Sequence, residues 1–84
     1  MSLERIAAVI TVVNARGVLH ELTGIIAAHE GNILSVEMLA SADPAESRIY
    51  FEIEMDRPPA ALLVDLGAVP AVKAVSSEKS LQKI

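Results

Sequence analysis

The chain has 84 residues and a formal net charge of -4, and 52% of its residues are hydrophobic. Such a length holds one domain, residues 1–84, with a single modest core, burying about 60–65% of the unfolded surface. The acidic balance without a basic patch argues against nucleic acid and anionic membranes as partners, and the absence of cysteine removes disulfides, thiolate metal sites and a cysteine nucleophile.

No apolar run reaches the roughly 18–20 uncharged residues of a membrane helix, and no secretory leader is visible. The chain is therefore expected to be soluble and cytoplasmic. The first element is "RIAAVITVVN", Arg5 to Asn14, apolar on both alternating faces and so expected as a central strand. Next, Val18, Leu22, Ile25 and Ile26 recur at helical spacing and Leu19 widens the stripe, predicting a helix from about Gly17 to Glu30 that Gly31 stops. "NILSVEMLAS" then alternates Leu34, Val36, Met38 and Ala40 against Ile33, Ser35, Glu37 and Leu39, and the Asp, Pro and Ser of "SADPAES" close a hairpin. Its second arm, "RIYFEIEMD", directs Ile49, Phe51, Ile53 and Met55 to the core and Arg48, Tyr50, Glu52 and Glu54 away from it. "RPPAALLVDLG" predicts a second helix with proline near its start and Gly67 as its stop, and the short strand-like "AVKAV" follows Pro70. The order βαββαβ predicts an α+β, ferredoxin-like sandwich: a four-stranded antiparallel sheet with two helices on one face.

Several families share this plan, so function has to be argued from sites. A metal-carrying version needs cysteines after the first strand, and an RNA-reading version needs several aromatics on the open sheet face, where only Tyr50 stands beside Glu52 and Glu54. The loop "NARGVL", Asn14 to Leu19, together with the "NI" of Asn32 and Ile33, resembles the ACT domain, a regulatory module of amino-acid metabolism. The likeness spans nearly the whole chain. Asn14, Gly17 and Leu19 match that family's loop, whereas Arg16 stands where proline is usual, Ala71 where glycine is common, and Gly31 one position nearer the asparagine than is typical. The resemblance implies a small-molecule ligand, an amino acid, bound at a dimer interface where the loop of one chain and the strand-two entry of the other meet. It implies control of a fused or associated metabolic enzyme.

The chemistry of the residues agrees. A free amino acid needs donors for its carboxylate and acceptors for its ammonium. Gly17 allows close backbone approach, and the first-turn N–H groups of Val18 and Leu19 favour an anion. Asn14 and Asn32 each carry a donor and an acceptor without a charge to desolvate, and Arg16 can contact an acidic ligand or partner. Each residue alone also has a structural use, Asn14 as a cap, Asn32 and Gly17 as turn residues, Arg16 as a solvated loop cation. His29 is assigned to the helix C-terminus rather than to chemistry, and the carboxylates Glu37, Glu52 and Glu54 read as a solvated face. No cofactor, metal or catalytic residue is expected.

Two alternatives stand beside this reading: a pairing module without a ligand, and an acylphosphatase-like hydrolase, which Arg16 and Gly17 echo but whose glycine-rich loop and strand-three asparagine are absent. Ile33 and Leu39 are expected on the face away from the helices, beside a second apolar row on the first strand, and covering them predicts a homodimer or higher even oligomer. "SSEKSLQKI" reads as an exit toward further polypeptide, which would make the chain a fragment of a longer one.

Overall fold

The computed structural model describes residues 3–13 and 16–79, the last two by their backbone. Asn14 and the end of the chain from residue 80 lie outside the described residues. The elements are β1 (Glu4–Val13), α1 (Val18–Ala28), β2 (Asn32–Leu39), β3 (Glu46–Met55), α2 (Ala60–Gly67) and β4 (Val72–Lys79). All pairings are antiparallel and the strand order is β2-β3-β1-β4, the ferredoxin-like arrangement that the element order predicts.

β1 lies between β3 and β4 because both its faces are apolar. Ile6, Ala8, Ile10 and Val12 are buried beneath the helices, and Ala7, Val9 and Thr11 are half-buried on the open face. β3 buries Ile49, Phe51, Ile53 and Met55 as its alternation predicts, and Leu22 and Ile26 of α1 and Leu62 and Leu66 of α2 close the core over them. Asp43 shapes the β2–β3 hairpin: its carboxylate accepts the Ala45 N–H at 2.9 Å and its carbonyl accepts the Glu46 N–H at 3.0 Å.

Four features depart from the sequence reading. α1 ends at Ala28, and the residue that takes the left-handed turn is Glu30 (φ 62), not Gly31. The Glu30 N–H bonds to the Ala27 carbonyl at 2.9 Å and the Gly31 N–H to the Ile26 carbonyl at 2.9 Å, the paired bonds of a Schellman ending. Gly31 is needed for a different reason. A Cβ there would stand 2.9 Å from Ile26 Cγ2 and 3.0 Å from Ile53 Cγ2, so only glycine lets the chain pass between helix and sheet.

The second departure is in β2. Ile33 opposes Ile53 but Ser35 opposes Glu52, leaving Leu34 as an extra residue in a bulge. The bulge resets the alternation, so Ile33 faces the helices and packs on the core, contrary to the expectation that it lies on the open face. Leu39, opposite Arg48, is on the open face as expected. Third, Gly67 closes α2 as its last helical residue, and Ala68 after it stays in the right-handed region, so no glycine turn stops this helix. Fourth, β4 runs on through Ser76 and Ser77 to Lys79, using residues that read as an exit segment, because β1 is long enough to pair with them as far as Ile6.

These contacts predict opposite outcomes for neighbouring substitutions. Gly31→Ala should cost about 1–3 kcal/mol by overpacking. Glu30→Gly should leave stability unchanged or raise it by up to about 1 kcal/mol, since the left-handed turn is relieved and the Arg57–Glu30 ion pair it forfeits is exposed. Urea denaturation of both variants checks the pair.

Candidate functional site

The exit of β1 is anchored from the far side of the sheet. The Val13 N–H donates to the Ala71 carbonyl at 2.8 Å. A bulge in the β1–β4 pairing skips Lys73, whose ammonium hydrogen-bonds the carboxylate of Glu46, the residue opposite Val13 on β3. That hydrogen bond, reinforced by the charge of Glu46, raises the Lys73 pKa, so on the alkaline side the pair persists until pH rises through a range above that where lysine ordinarily deprotonates. Neither Lys73 nor Glu46 stands out in the sequence, since a lysine inside "AVKAV" reads as an ordinary outward strand residue.

From this anchored end the chain turns through Arg16 and Gly17 into α1. Gly17 has φ 82 and open space where a Cβ would stand, so the backbone conformation alone calls for glycine. Helical bonding begins with the Glu21 N–H donating to the Gly17 carbonyl at 3.1 Å. No side-chain cap bond forms at Gly17, and among the described residues no side chain accepts from the N–H groups of Val18 and Leu19. Those donors, with the positive end of an 11-residue helix behind them, suit a carboxylate. Arg16 is exposed and has no acidic partner among the described residues, unlike Arg5 with Glu54 at 3.7 Å and Arg57 with Glu30 at 2.8 Å. The Val18 side chain packs on the core, while Leu19 is 39% exposed.

Asn32 and Ile33 stand at the other end of the domain. Asn32 is exposed at the start of the edge strand and opposes Glu54, whereas the loop leaves β1 next to Val13, which opposes Glu46. Eight residues of β3 separate these two levels, about 27 Å at about 3.4 Å per residue. Arg16, Gly17, Val18 and Leu19 are thus together, and Asn32 and Ile33 are apart from them within one chain. The side chain of Ile33 is turned to the core, so toward a ligand it offers its main chain.

His29 is the C-cap of α1 and bonds Asp65 of α2 at 2.7 Å, tying the two helices together. Among the described residues no group of three or more His, Cys, Asp or Glu is placed to hold a metal ion.

Because the space around Gly17 is open, the cost of a side chain there comes from the dihedral angle alone. Gly17→Ala should destabilise by about 1–2 kcal/mol and Gly17→Asn by less, measured by denaturant unfolding.

A family model described as the AHAS small subunit-like ACT domain matches residues 9–74. No curated protein matches the sequence. Among solved structures, the fold is shared with the ACT domain from GTP pyrophosphokinase of Chlorobium tepidum, at a TM-score of 0.75 and 18% identity over 92% of this chain and 100% of that one. The acetolactate synthase small subunit from Thermotoga maritima matches at a TM-score of 0.73 and 20% identity, over 87% of this chain and 46% of that one. A protein of unknown function from Galdieria sulphuraria matches at a TM-score of 0.81 and 10% identity, over 99% of this chain and 48% of that one. The chain thus spans about half the length of the last two, and at these identities the likeness is one of fold. The family model carries the assignment: the chain belongs to the AHAS small subunit-like ACT domains, regulatory ligand-binding modules rather than catalytic ones.

Proposed function

We propose that this domain binds an amino acid between two copies of itself and that occupancy controls a metabolic enzyme fused to it or associated with it. The observation that carries this reading is the separation of the two half-sites. The loop at Arg16–Leu19 and the strand entry at Asn32 lie at opposite ends of one sheet. An antiparallel two-fold pairing of edge strands brings the loop of one copy to the strand entry of the other, so each dimer has two complete sites.

The edge that would pair is β2, which has β3 on one side and, among the described residues, no strand on the other. On the helix side of this edge, Met38 is 58% and Val36 43% exposed, with Leu34 in the bulge at 40%. Apolar side chains at a free strand edge are an association hazard for a monomer. A second copy covers them. The rationale for pairing therefore rests on Val36 and Met38, on the helix side, rather than on Ile33.

In this reading the first-turn N–H groups and Gly17 take the carboxylate, and the amides of Asn14 and the partner's Asn32 orient the ammonium. Control of an enzyme requires the ligand to bind one conformation or assembly state more tightly than another. The likeness to an acetolactate synthase small subunit supports an enzyme of amino-acid metabolism as the regulated partner, and the absence of cysteine fits a cytoplasmic setting. Arg16 in place of the usual proline supports the second reading, a pairing domain without a ligand.

A thermal-shift screen of the natural amino acids separates the two. A ligand at a hundredfold excess over its Kd adds about 2.7 kcal/mol of apparent stability, so one or a few related amino acids should raise the melting temperature. Asn14→Ala and Asn32→Ala should each abolish the shift while the protein stays folded. In mixed dimers carrying one substitution per chain, one pocket loses both amides and the other keeps both, so binding should persist at half stoichiometry. No shift with any amino acid would favour the ligand-free pairing domain.

A further inference from the structure

The sheet face away from the helices carries a charge pattern of its own. Directly opposed residues in an antiparallel pair share a face, so the register reads this face row by row. Its middle row sets Val9 of β1 beside Tyr50 of β3. The row toward the loop end sets Thr11 beside Arg48, and the row on the other side sets Ala7 beside Glu52. Along β3 the charge therefore changes sign across Tyr50, with Arg48 two residues to one side and Glu52 two residues to the other.

Two observations separate this face from an ordinary solvated one. Ala7, Val9, Thr11 and Tyr50 form a centre without charge, half-buried within one chain. Arg48 is exposed and has no acidic partner among the described residues, although Arg5 on the same face pairs with Glu54 at 3.7 Å.

A surface whose charge reverses across one row is complementary to itself. Two copies can meet face to face about a two-fold axis that lies in the interface along the Val9–Tyr50 row. Each strand then runs over its own copy in the opposite direction, so Arg48 stands over the partner's Glu52 and Glu52 over the partner's Arg48. Tyr50 meets the partner's Tyr50 at the axis, where paired rings add to the contact, and Ala7 meets the partner's Thr11. Aligned sheets stack at an angle of about 30°. Arg48 lies about 7 Å from the axis, so this angle displaces it by about 3–4 Å, within the reach of an arginine side chain. Other axes lose the match. One along β3 would set Arg48 on the partner's Arg48, and one between β1 and β3 would set it over the partner's Thr11 with no carboxylate opposite. The chosen axis has one cost, since Glu37, across from Tyr50 on β2, comes level with the partner's Glu37 at the exposed rim.

We infer that the open face of the sheet is a contact surface for a second copy of this chain, stacked face to face about the Val9–Tyr50 row and registered by two Arg48–Glu52 pairs. The face measures about 19 Å across four strands and about 27 Å along them. Two copies thus bury about 1,000 Å² in total, the low end of specific association, and the contact between single chains is weak. It uses neither the edge of β2 nor the loop at Arg16–Leu19, so it stands or falls apart from the proposed ligand site.

Charge reversal tests the register. Arg48→Glu and Glu52→Arg each make both positions alike in charge, so either variant repels its own copy, whereas a mixed pair regains both contacts. In sedimentation at high micromolar concentration, each variant alone should associate about tenfold more weakly than the parent. An equal mixture of the two, and the chain carrying both reversals, should return to the parent's affinity. The chain has one tyrosine and no tryptophan, so its intrinsic emission reports this face alone. Acrylamide quenching of Tyr50 should fall as the parent is concentrated and should not fall for Arg48→Glu. Quenching independent of concentration, or association that neither reversal changes, would overturn the stacked face while leaving the pairing of edge strands standing. Association weakened by both reversals but not restored by mixing would overturn the Arg48–Glu52 register.

Discussion

The burial of β1 on both faces is the constraint from which the rest of the domain follows. Ile6, Ile10 and Val12 need the helices above them, and Ala7, Val9 and Thr11 are too apolar for a strand with a free edge. β1 therefore takes neighbours on both sides, β3 and β4, which leaves β4 at one margin and the remaining strand, β2, beyond β3 at the other. That position leaves the backbone of β2 open along one side and exposes Val36 and Met38. The central burial of one strand thus generates the free edge of another, and the functional argument begins at that edge.

The same topology explains why the described loop residues before the first helix, Arg16 and Gly17, are not neighbours of Asn32 after it. α1 carries the chain from one end of the sheet to the other, so the levels of Val13 before it and Asn32 after it lie about 27 Å apart along the strands. The loop end is held by the Val13–Ala71 hydrogen bond and the Lys73–Glu46 pair. The exit end is held by Gly31 wedged between Ile26 and Ile53, with His29–Asp65 and Arg57–Glu30 on its outer side. Both ends are braced by contacts from other elements, which suits the two halves of the proposed shared site.

Much of this was legible in the residues themselves. Strand and helix periodicities gave the element order, and the core face of β3 emerged residue by residue because Ile49, Phe51, Ile53 and Met55 alternate without interruption. What stayed hidden were places where one residue breaks a period. A bulge at Leu34 leaves no mark in a strand whose two faces both carry apolar residues, so simple alternation assigns Ile33 to the wrong face. Glu30 in a left-handed turn beside a glycine invites assigning the turn to the glycine, because the steric reason for Gly31 is a tertiary contact with Ile53. The length of β4 was hidden for a related reason: Ser76 and Ser77 have weak strand preference and are recruited by the length of β1. For the candidate site, the loop motif was readable as a set of residues, but its distance from Asn32 required the sheet register.

The proposed site is complete only when two copies meet, and linkage between ligand and assembly tests that most directly. A ligand that binds the dimer and not the monomer must tighten the dimer, because the coupling free energy is reciprocal. Sedimentation equilibrium at micromolar protein, with and without the amino acid that raises the melting temperature most, should show the dimer dissociation constant falling as ligand is added, with two ligands bound per dimer at saturation. Saturable binding of that amino acid with no change in the dissociation constant would place the whole site within one chain and contradict the account.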